Sequence, residues 1–215
     1  MNYFSPAEKK HTRFVRFRTL LILLAGFVIL TILDFPLLHL FYRDTTRSVE
    51  SHDWYRALRI VGYMGTWSFL GIAFLLYDRH RHRAGAVFLS AITSGLIAET
   101  LKLVIVRERP VDGLQIQPGW YHFRAPFSGF VDGSNLGLPS SHAAVAFGGC
   151  LMFGAIFPSI RRLMFLLALG CGFTRMLTGT HFATDIYAGA LIGWLVSIGY
   201  TRITPGLEPK FKRRY

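Results

Sequence analysis

Apolar runs alternate with short clusters of charge along the chain. The runs are Leu20–Leu40, Ile60–Tyr77, Ala84–Val106, Ala143–Phe157, Leu163–Leu177 and Ile186–Ile203. A helix needs about 20 residues to cross the hydrocarbon of a bilayer. Two of the runs, Ala143–Phe157 and Leu163–Leu177, at 15 residues each, fall well below that length before their polar ends are added. The pattern predicts an all-α integral membrane bundle of about six transmembrane helices, one membrane domain over residues 1–215. A basic stretch from Lys9 to Arg18 precedes the first run, and no small-residue cleavage signature closes it. That run is therefore expected to be a retained helix and not a removed signal peptide.

Between the runs, residues 41–59 read as a short polar segment. Residues 107–138 form a longer outer loop, rich in Gly, Pro, Phe and Trp, with neither a helical nor a strand period. A loop of that length on a small membrane protein is either functional or loosely ordered. Trp54, Tyr55, Trp120 and Tyr121 fall near expected outer helix ends, where aromatic rings anchor at the headgroup level. The third helix is expected to end at Arg109, because Pro110 disfavours helical geometry in the residue before it.

Composition narrows the class. Of 215 residues 52% are hydrophobic and only 17% charged, against about 25% charged in an ordinary soluble domain. The net charge is nevertheless +12. A basic balance suggests nucleic acid or an anionic surface, but the apolar runs exclude a soluble nucleic-acid-binding domain, and no nucleic acid partner is expected. If the N-terminus is cytoplasmic, its basic stretch shares a side with Arg79, Arg81, Arg83, Arg161, Arg162, Arg202 and the basic tail 204–215. That asymmetry fits the positive-inside rule and predicts both termini in the cytoplasm. The basic termini are then expected to adhere to anionic leaflet lipids. Cys150 and Cys171 lie inside apolar runs without CxxC spacing. They read as small buried hydrophobes, which argues against redox, iron–sulfur or thiolate-metal chemistry.

Ionisable residues at membrane depth need a reason, because burying them is costly. Glu99 and Lys102 are three apart on the third segment and are expected to pair on one helix face. Lys102 and Arg109 are seven apart, two helical turns, which would bring both cations to one side. Glu108 is expected either to pair with Arg107 or to sit at the rim. Pro139, Ser140, Ser141 and His142 stand immediately before the fourth helix. Free N–H groups and the helix dipole make such a start an anion site, and His142 supplies a proton near neutral pH. An ordinary N-cap followed by a buried histidine is the alternative. His181 and Asp185, four apart at the start of the sixth helix, suit a carboxylate that orients an imidazole and raises its nucleophilicity. A packing or capping pair is the alternative there. Arg175, at the outer end of the fifth helix, offers a fork suited to phosphate oxygens. All of these groups are expected on the same outer face, which points to phosphoryl chemistry. Asp34, beside Pro36 in the first helix, is left between a polar partner and a headgroup. His80 and His82 read as part of a solvated charged turn.

The segments KLVIVRERP (Lys102 to Pro110), PSSH (Pro139 to His142) and TRMLTGTHFATD (Thr174 to Asp185) resemble the three signature motifs of the type 2 phosphatidic acid phosphatase (PAP2) family. That family's pattern is K-x6-RP, then PSGH, then SR-x5-H-x3-D. The resemblance implies a catalytic set of His181 as the nucleophile that forms a phosphohistidine, Asp185 as its orienting partner and His142 as the general acid and then base. It implies Lys102, Arg109, Ser140, Ser141 and Arg175 as phosphate-binding residues, with Ser141 through its backbone N–H. No metal and no cofactor are implied, since cations stand where other phosphatases use divalent ions. Two positions depart from the pattern: Ser141 stands for its glycine and Thr174 for its serine. Both changes leave the donors in place.

The resemblance further implies a phosphorylated or pyrophosphorylated membrane lipid as substrate. It suits a multi-pass protein of the bacterial inner membrane whose site faces the periplasm. Undecaprenyl pyrophosphate is the first expectation; phosphatidylglycerophosphate, phosphatidic acid and lipid A phosphates follow. Lipid phosphotransfer is a second option and a non-enzymatic lipid transporter or assembly subunit a third. Arg124 and Trp120 in the outer loop are the candidate headgroup contacts, Arg124 as a cation for a second phosphate. A solvent-facing arginine is the alternative.

Overall fold

A computed structural model describes residues 6–42, 46–77, 81–110 and 121–207, with side chains from residue 17 onward except 46–48. The helices are α1 (Pro6–Phe41), α2 (Thr46–Ser51), α3 (Asp53–Arg59), α4 (Met64–Tyr77), α5 (Arg81–Ile105), α6 (Ser141–Ile156), α7 (Arg161–Leu177) and α8 (Ala183–Ile203). Each apolar run is thus helical over most of its length. The fold is all-α, with isolated antiparallel bridges Arg107–Phe123 and Glu108–Leu136 in the segment 107–138.

The surface is inverted relative to a soluble protein. Leu20, Ile22, Ile32, Phe69, Leu76, Leu96, Leu166 and Leu195 are exposed, whereas Asp34, Lys102, Arg107, Arg175, His181 and Asp185 are buried. Apolar side chains face outward where lipid takes the place of water, and the polar groups collect inside. Among the described residues, Phe17–Phe41, Arg81–Ile105 and Ala183–Ile203 are long and apolar enough to cross a membrane. The pair Asp53–Gly62 and Met64–Tyr77 makes another if its 71° bend is one broken span. These helices mark a membrane protein. The other two apolar runs form shorter helices: α6 has 16 residues and α7 has 17.

Helix α6 lies at the centre, packed on α5, α7 and α8, and its small residues let the neighbours approach. A Cβ at Gly193 of α8 would lie 2.6 Å from the backbone N of Gly148 and 2.7 Å from the carbonyl of Ala144. Gly189 and Gly193 give α8 the small-xxx-small spacing that brings membrane helices into contact. Ser90 adds a bond from its hydroxyl to the Gly148 carbonyl, 2.7 Å. Gly193→Val is expected to cost about 1–3 kcal/mol by overpacking and to lower the thermal midpoint in detergent. An unchanged midpoint would mean that α6 and α8 do not meet at this distance.

The second run does not stay straight. Its first residues form a tight turn, Ile60–Gly62, and the chain becomes extended at Tyr63. The carbonyls freed there are taken by the next turn: Thr66 donates its hydroxyl to Ile60 O at 2.7 Å and Trp67 its ring N–H to Val61 O at 2.8 Å. The segment expected to be a polar linker, 41–59, instead holds α2 and α3. Tyr55, expected as an interface anchor, is 1% exposed and packs inside, because α3 lies against α7.

The third helix ends earlier than Pro110 requires. Val106 has φ +58°, a left-handed conformation unusual for a β-branched residue, and the chain leaves α5 extended. Glu108 N–H donates to His122 O (2.9 Å), Arg124 N–H to Val106 O (3.0 Å), Arg109 N–H to Asn135 O (3.1 Å) and Gly137 N–H to Arg107 O (2.7 Å). The described part of the segment 107–138 is therefore an ordered cap that holds residues 106–109 between two segments. The two-turn helical spacing expected for Lys102 and Arg109 does not apply. Extended backbone sends successive side chains to opposite sides, so Glu108 turns away from Arg107 and lies 3.7 Å from Arg124.

Candidate active site

Three helix ends meet beneath this cap. Ser140 takes the N-cap of α6, its hydroxyl accepting from Ala143 N–H at 3.4 Å, while its own N–H donates to Asp185 O at 2.9 Å. The start of α6 is thereby tied to the start of α8. Ser140 is fully buried and behaves locally as the ordinary cap. Ser141 accepts at its hydroxyl from Lys102 Nζ, 2.9 Å, and Lys102 also donates to Glu99, 3.0 Å, as expected for that pair.

His181 and Asp185 stand four residues apart where α8 begins. Asp185 occupies the first turn and reaches back to accept from Phe182 N–H at 2.9 Å, which caps the helix and fixes the carboxylate. The same oxygen lies 3.4 Å from His181 Nδ1. A neutral imidazole with its Nδ1 proton toward that carboxylate carries its free lone pair on Nε2. His181 is 1% exposed. Burial pushes its pKa down to about 4 against the opposing pull of Asp185, so the free base is the resting form at neutral pH.

His142, in the first turn of α6, has a buried Nε2 without a hydrogen-bond partner among the described residues. Its ring stands edge-on to Tyr63 at 5.1 Å between centroids. A Cβ at Gly62 would meet that ring at 3.1 Å, so the break before α4 sets one wall of the site. Arg175, His181, Arg59 and Lys102 all lie close enough to His142 to act on its charge. Arg175 is 4% exposed, and its Nε has no hydrogen-bond partner among the described residues. Arg109 is half-buried, donates from Nε to Leu136 O at 3.2 Å, and acts electrostatically on both Lys102 and Arg175. Two histidines and several cations from separate helices therefore share one region. Such an arrangement suits a tetrahedral oxyanion, with one imidazole to attack and another to move a proton.

The candidate headgroup residues fare differently. Arg124 is held within the cap by Asp132 (2.7 Å), by the Ser134 carbonyl (2.7 Å) and near Glu108. Trp120 lies outside the described residues, as do His80 and the tail from residue 208 onward.

Several participants escaped the sequence reading. Arg107 is 3% exposed and donates to Asp185 Oδ1 at 2.5 Å and to Thr184 Oγ1 at 2.7 Å. Asp34 of α1 is fully buried and accepts from Thr184 N–H at 2.9 Å, from the Thr184 hydroxyl, and from Tyr121 at 2.9 Å. Burial and that carboxylate push the Tyr121 phenol above its ordinary range, which keeps it a donor. Arg59 of α3 lies over the rings of Tyr55 and Tyr63. Asp34 alone left a signal, as a carboxylate inside an apolar helix.

The sequence pattern of the PAP2 superfamily matches residues 83–208. The chain belongs to this superfamily. All three PAP2-like segments fall inside the match, whereas Asp34, Arg59 and Tyr63 fall outside it. A lipid A 1-phosphatase of Rhizobium etli is 34% identical over 120 residues, covering 54% of this chain and 50% of that protein. A lipid A 1-phosphatase of Rhizobium johnstonii is 34% identical over 107 residues, covering 50% and 42%. The chain matches half or less of the length of these PAP2 relatives. No solved structure matches it.

Proposed function

We propose that this PAP2 protein is a membrane lipid phosphatase acting through a phosphohistidine on His181. The observation that carries the reading is a buried His181 facing Asp185 at 3.4 Å, in a region shared with His142, Lys102 and Arg175. In the first step Nε2 of His181 attacks phosphorus and the bond to the lipid oxygen breaks. His142, protonated once the bound phosphate offsets the cations around it, gives that proton to the oxygen. In the second step His142 takes a proton from water, whose oxygen displaces His181 and releases inorganic phosphate. Lys102, Arg109 and Arg175 stabilise the charge that develops on the nonbridging oxygens, and the backbone of Ser140 and Ser141 offers the donors of a helix start. Three cations in those places supply what a divalent ion gives elsewhere.

The substrate is a phosphorylated lipid whose tails stay in the bilayer. Lipid A phosphate is the leading candidate, because both reported relatives are lipid A 1-phosphatases. Undecaprenyl pyrophosphate follows, and Arg124, held by loop carboxylates, adds little support for a second phosphate. In this reading α1, the α3–α4 pair and α5 to α8 make six crossings of a bacterial inner membrane, with both termini cytoplasmic and the site on the periplasmic side.

The test is phosphate release by purified protein in detergent with EDTA, from a lipid A precursor, undecaprenyl pyrophosphate, phosphatidylglycerophosphate and phosphatidic acid. Release that persists in EDTA, fastest from the lipid A precursor, is expected. Loss of all release on chelation would overturn the metal-independent mechanism. Transfer to a lipid or sugar acceptor without free phosphate would make the protein a phosphotransferase.

A further inference from the structure

We propose that Arg107, with Asp34 as its counter-charge, is the positioning pair that holds the His181–Asp185 dyad in reactive geometry and ties the first helix into catalysis. The inference rests on the phosphohistidine reading above. Asp185 divides its two oxygens: Oδ2 faces His181 Nδ1 and the Phe182 N–H, and Oδ1 accepts from Arg107. A carboxylate gripped at one oxygen cannot rotate away from the imidazole at the other. The guanidinium is itself fixed in plane, 4.7 Å from the Tyr121 ring and 5.2 Å from the Phe182 ring. Its second bond, to Thr184 Oγ1, spans the first turn of α8.

The charges explain why Asp34 belongs to the same unit. Two fully buried carboxylates, Asp34 and Asp185, flank a single buried guanidinium, at 4.0 Å and 2.5 Å. Without Arg107 two buried anions would stand on either side of Thr184 with no cation between them. Without Asp34 the whole pull of Arg107 would fall on Asp185 and weaken its hold on the His181 proton. Asp34 comes from α1, 150 residues away from its partner Thr184, and lies outside the matched family region. Arg107 is buried behind Asp185, so it acts through the carboxylate and not on the phosphate. A lysine keeps the charge, but a single ammonium cannot stand both where Nη2 meets Asp185 and Thr184 and where Nη1 faces Asp34, as the planar fork does.

The experiment compares Arg107→Lys, Arg107→Met, Asp34→Asn and the double variant Arg107→Met/Asp34→Asn with wild type, purified in detergent. Initial rates on the best lipid substrate give kcat and KM, thermal unfolding gives stability, and nitrogen-15 NMR of labelled histidines reads the His181 tautomer. Arg107→Lys is expected to lower kcat about 10- to 100-fold, the usual effect of losing an outer-shell partner, with KM within about twofold. Arg107→Met should lose more activity and stability. Adding Asp34→Asn should restore its thermal midpoint but not kcat, and the Nδ1–H form of His181 should decline in both. A raised KM at unchanged kcat would make Arg107 a phosphate ligand, and unaltered kcat and tautomer in Arg107→Lys would sink the proposal. An inactive wild type whose His181 tautomer still responds to these variants would overturn the phosphatase reading and leave the positioning pair standing.

Discussion

His181→Ala is expected to abolish phosphate release, at least about a thousandfold, and to remove the acid-labile phosphoenzyme altogether. The size follows from the kind of role. A nucleophile splits one difficult displacement into two easier ones, and nothing adjacent can replace its lone pair. His142 is an imidazole close enough to feel the charge of His181, but in the proposed mechanism it moves protons. Rapid quenching with phosphate-labelled lipid measures both readouts, and a phosphoenzyme persisting in His181→Ala would reassign the nucleophile. The pH profile adds a check in the wild type. A histidine whose pKa is pushed down keeps its free base to lower pH. Burial takes His181 to about 4, so kcat/KM should hold as pH falls through 6 and fail only toward that value. An acid limb near the ordinary 6.5 would mean that His181 is solvated in the working enzyme.

The parts of this site that were legible in the sequence are those whose spacing is local. His181 and Asp185 sit one helical turn apart, Glu99 and Lys102 three residues apart, and both pairs formed. Ser140 was legible as a helix start because the cap is a property of adjacent residues. Arg107 and Asp34 were not legible together: 73 positions separate them, and only the fold brings α1 against the first turn of α8. The end of α5 was misplaced for a different reason. Pro110 sets the latest point at which a helix can stop, whereas the cap residues His122 and Asn135 stop it sooner by taking the backbone bonds of Glu108 and Arg109. The apolar run likewise marked Ile60–Tyr77 as an expected helix but could not show its break. That break depends on Thr66 and Trp67 satisfying carbonyls six residues upstream.

Arg175→Ala is expected to cut kcat/KM by about 10²- to 10³-fold, the cost of losing one preorganised oxyanion donor, while leaving the protein without anion as stable as wild type or more so. The two halves have one cause. Arg175 is 4% exposed, and among the described residues no carboxylate lies within ion-pair distance of it and Nε lacks a hydrogen-bond partner. Arg59 and Arg109 add like charge nearby. A buried cation in that setting raises the free energy of the folded protein, and an anion that binds between these groups removes the penalty. Inorganic phosphate, and more strongly vanadate as a transition-state mimic, should raise the thermal midpoint of the wild type by mass action. The rise should vanish in Arg175→Ala. Arg175→Lys should recover part of the anion response and little of kcat/KM, because an ammonium keeps the charge but loses the fork that spans two phosphate oxygens. Calorimetry with and without vanadate decides the matter. A destabilised Arg175→Ala that still responds fully to vanadate would place Arg175 in the packing of α7 and leave the phosphate to Lys102 and Arg109.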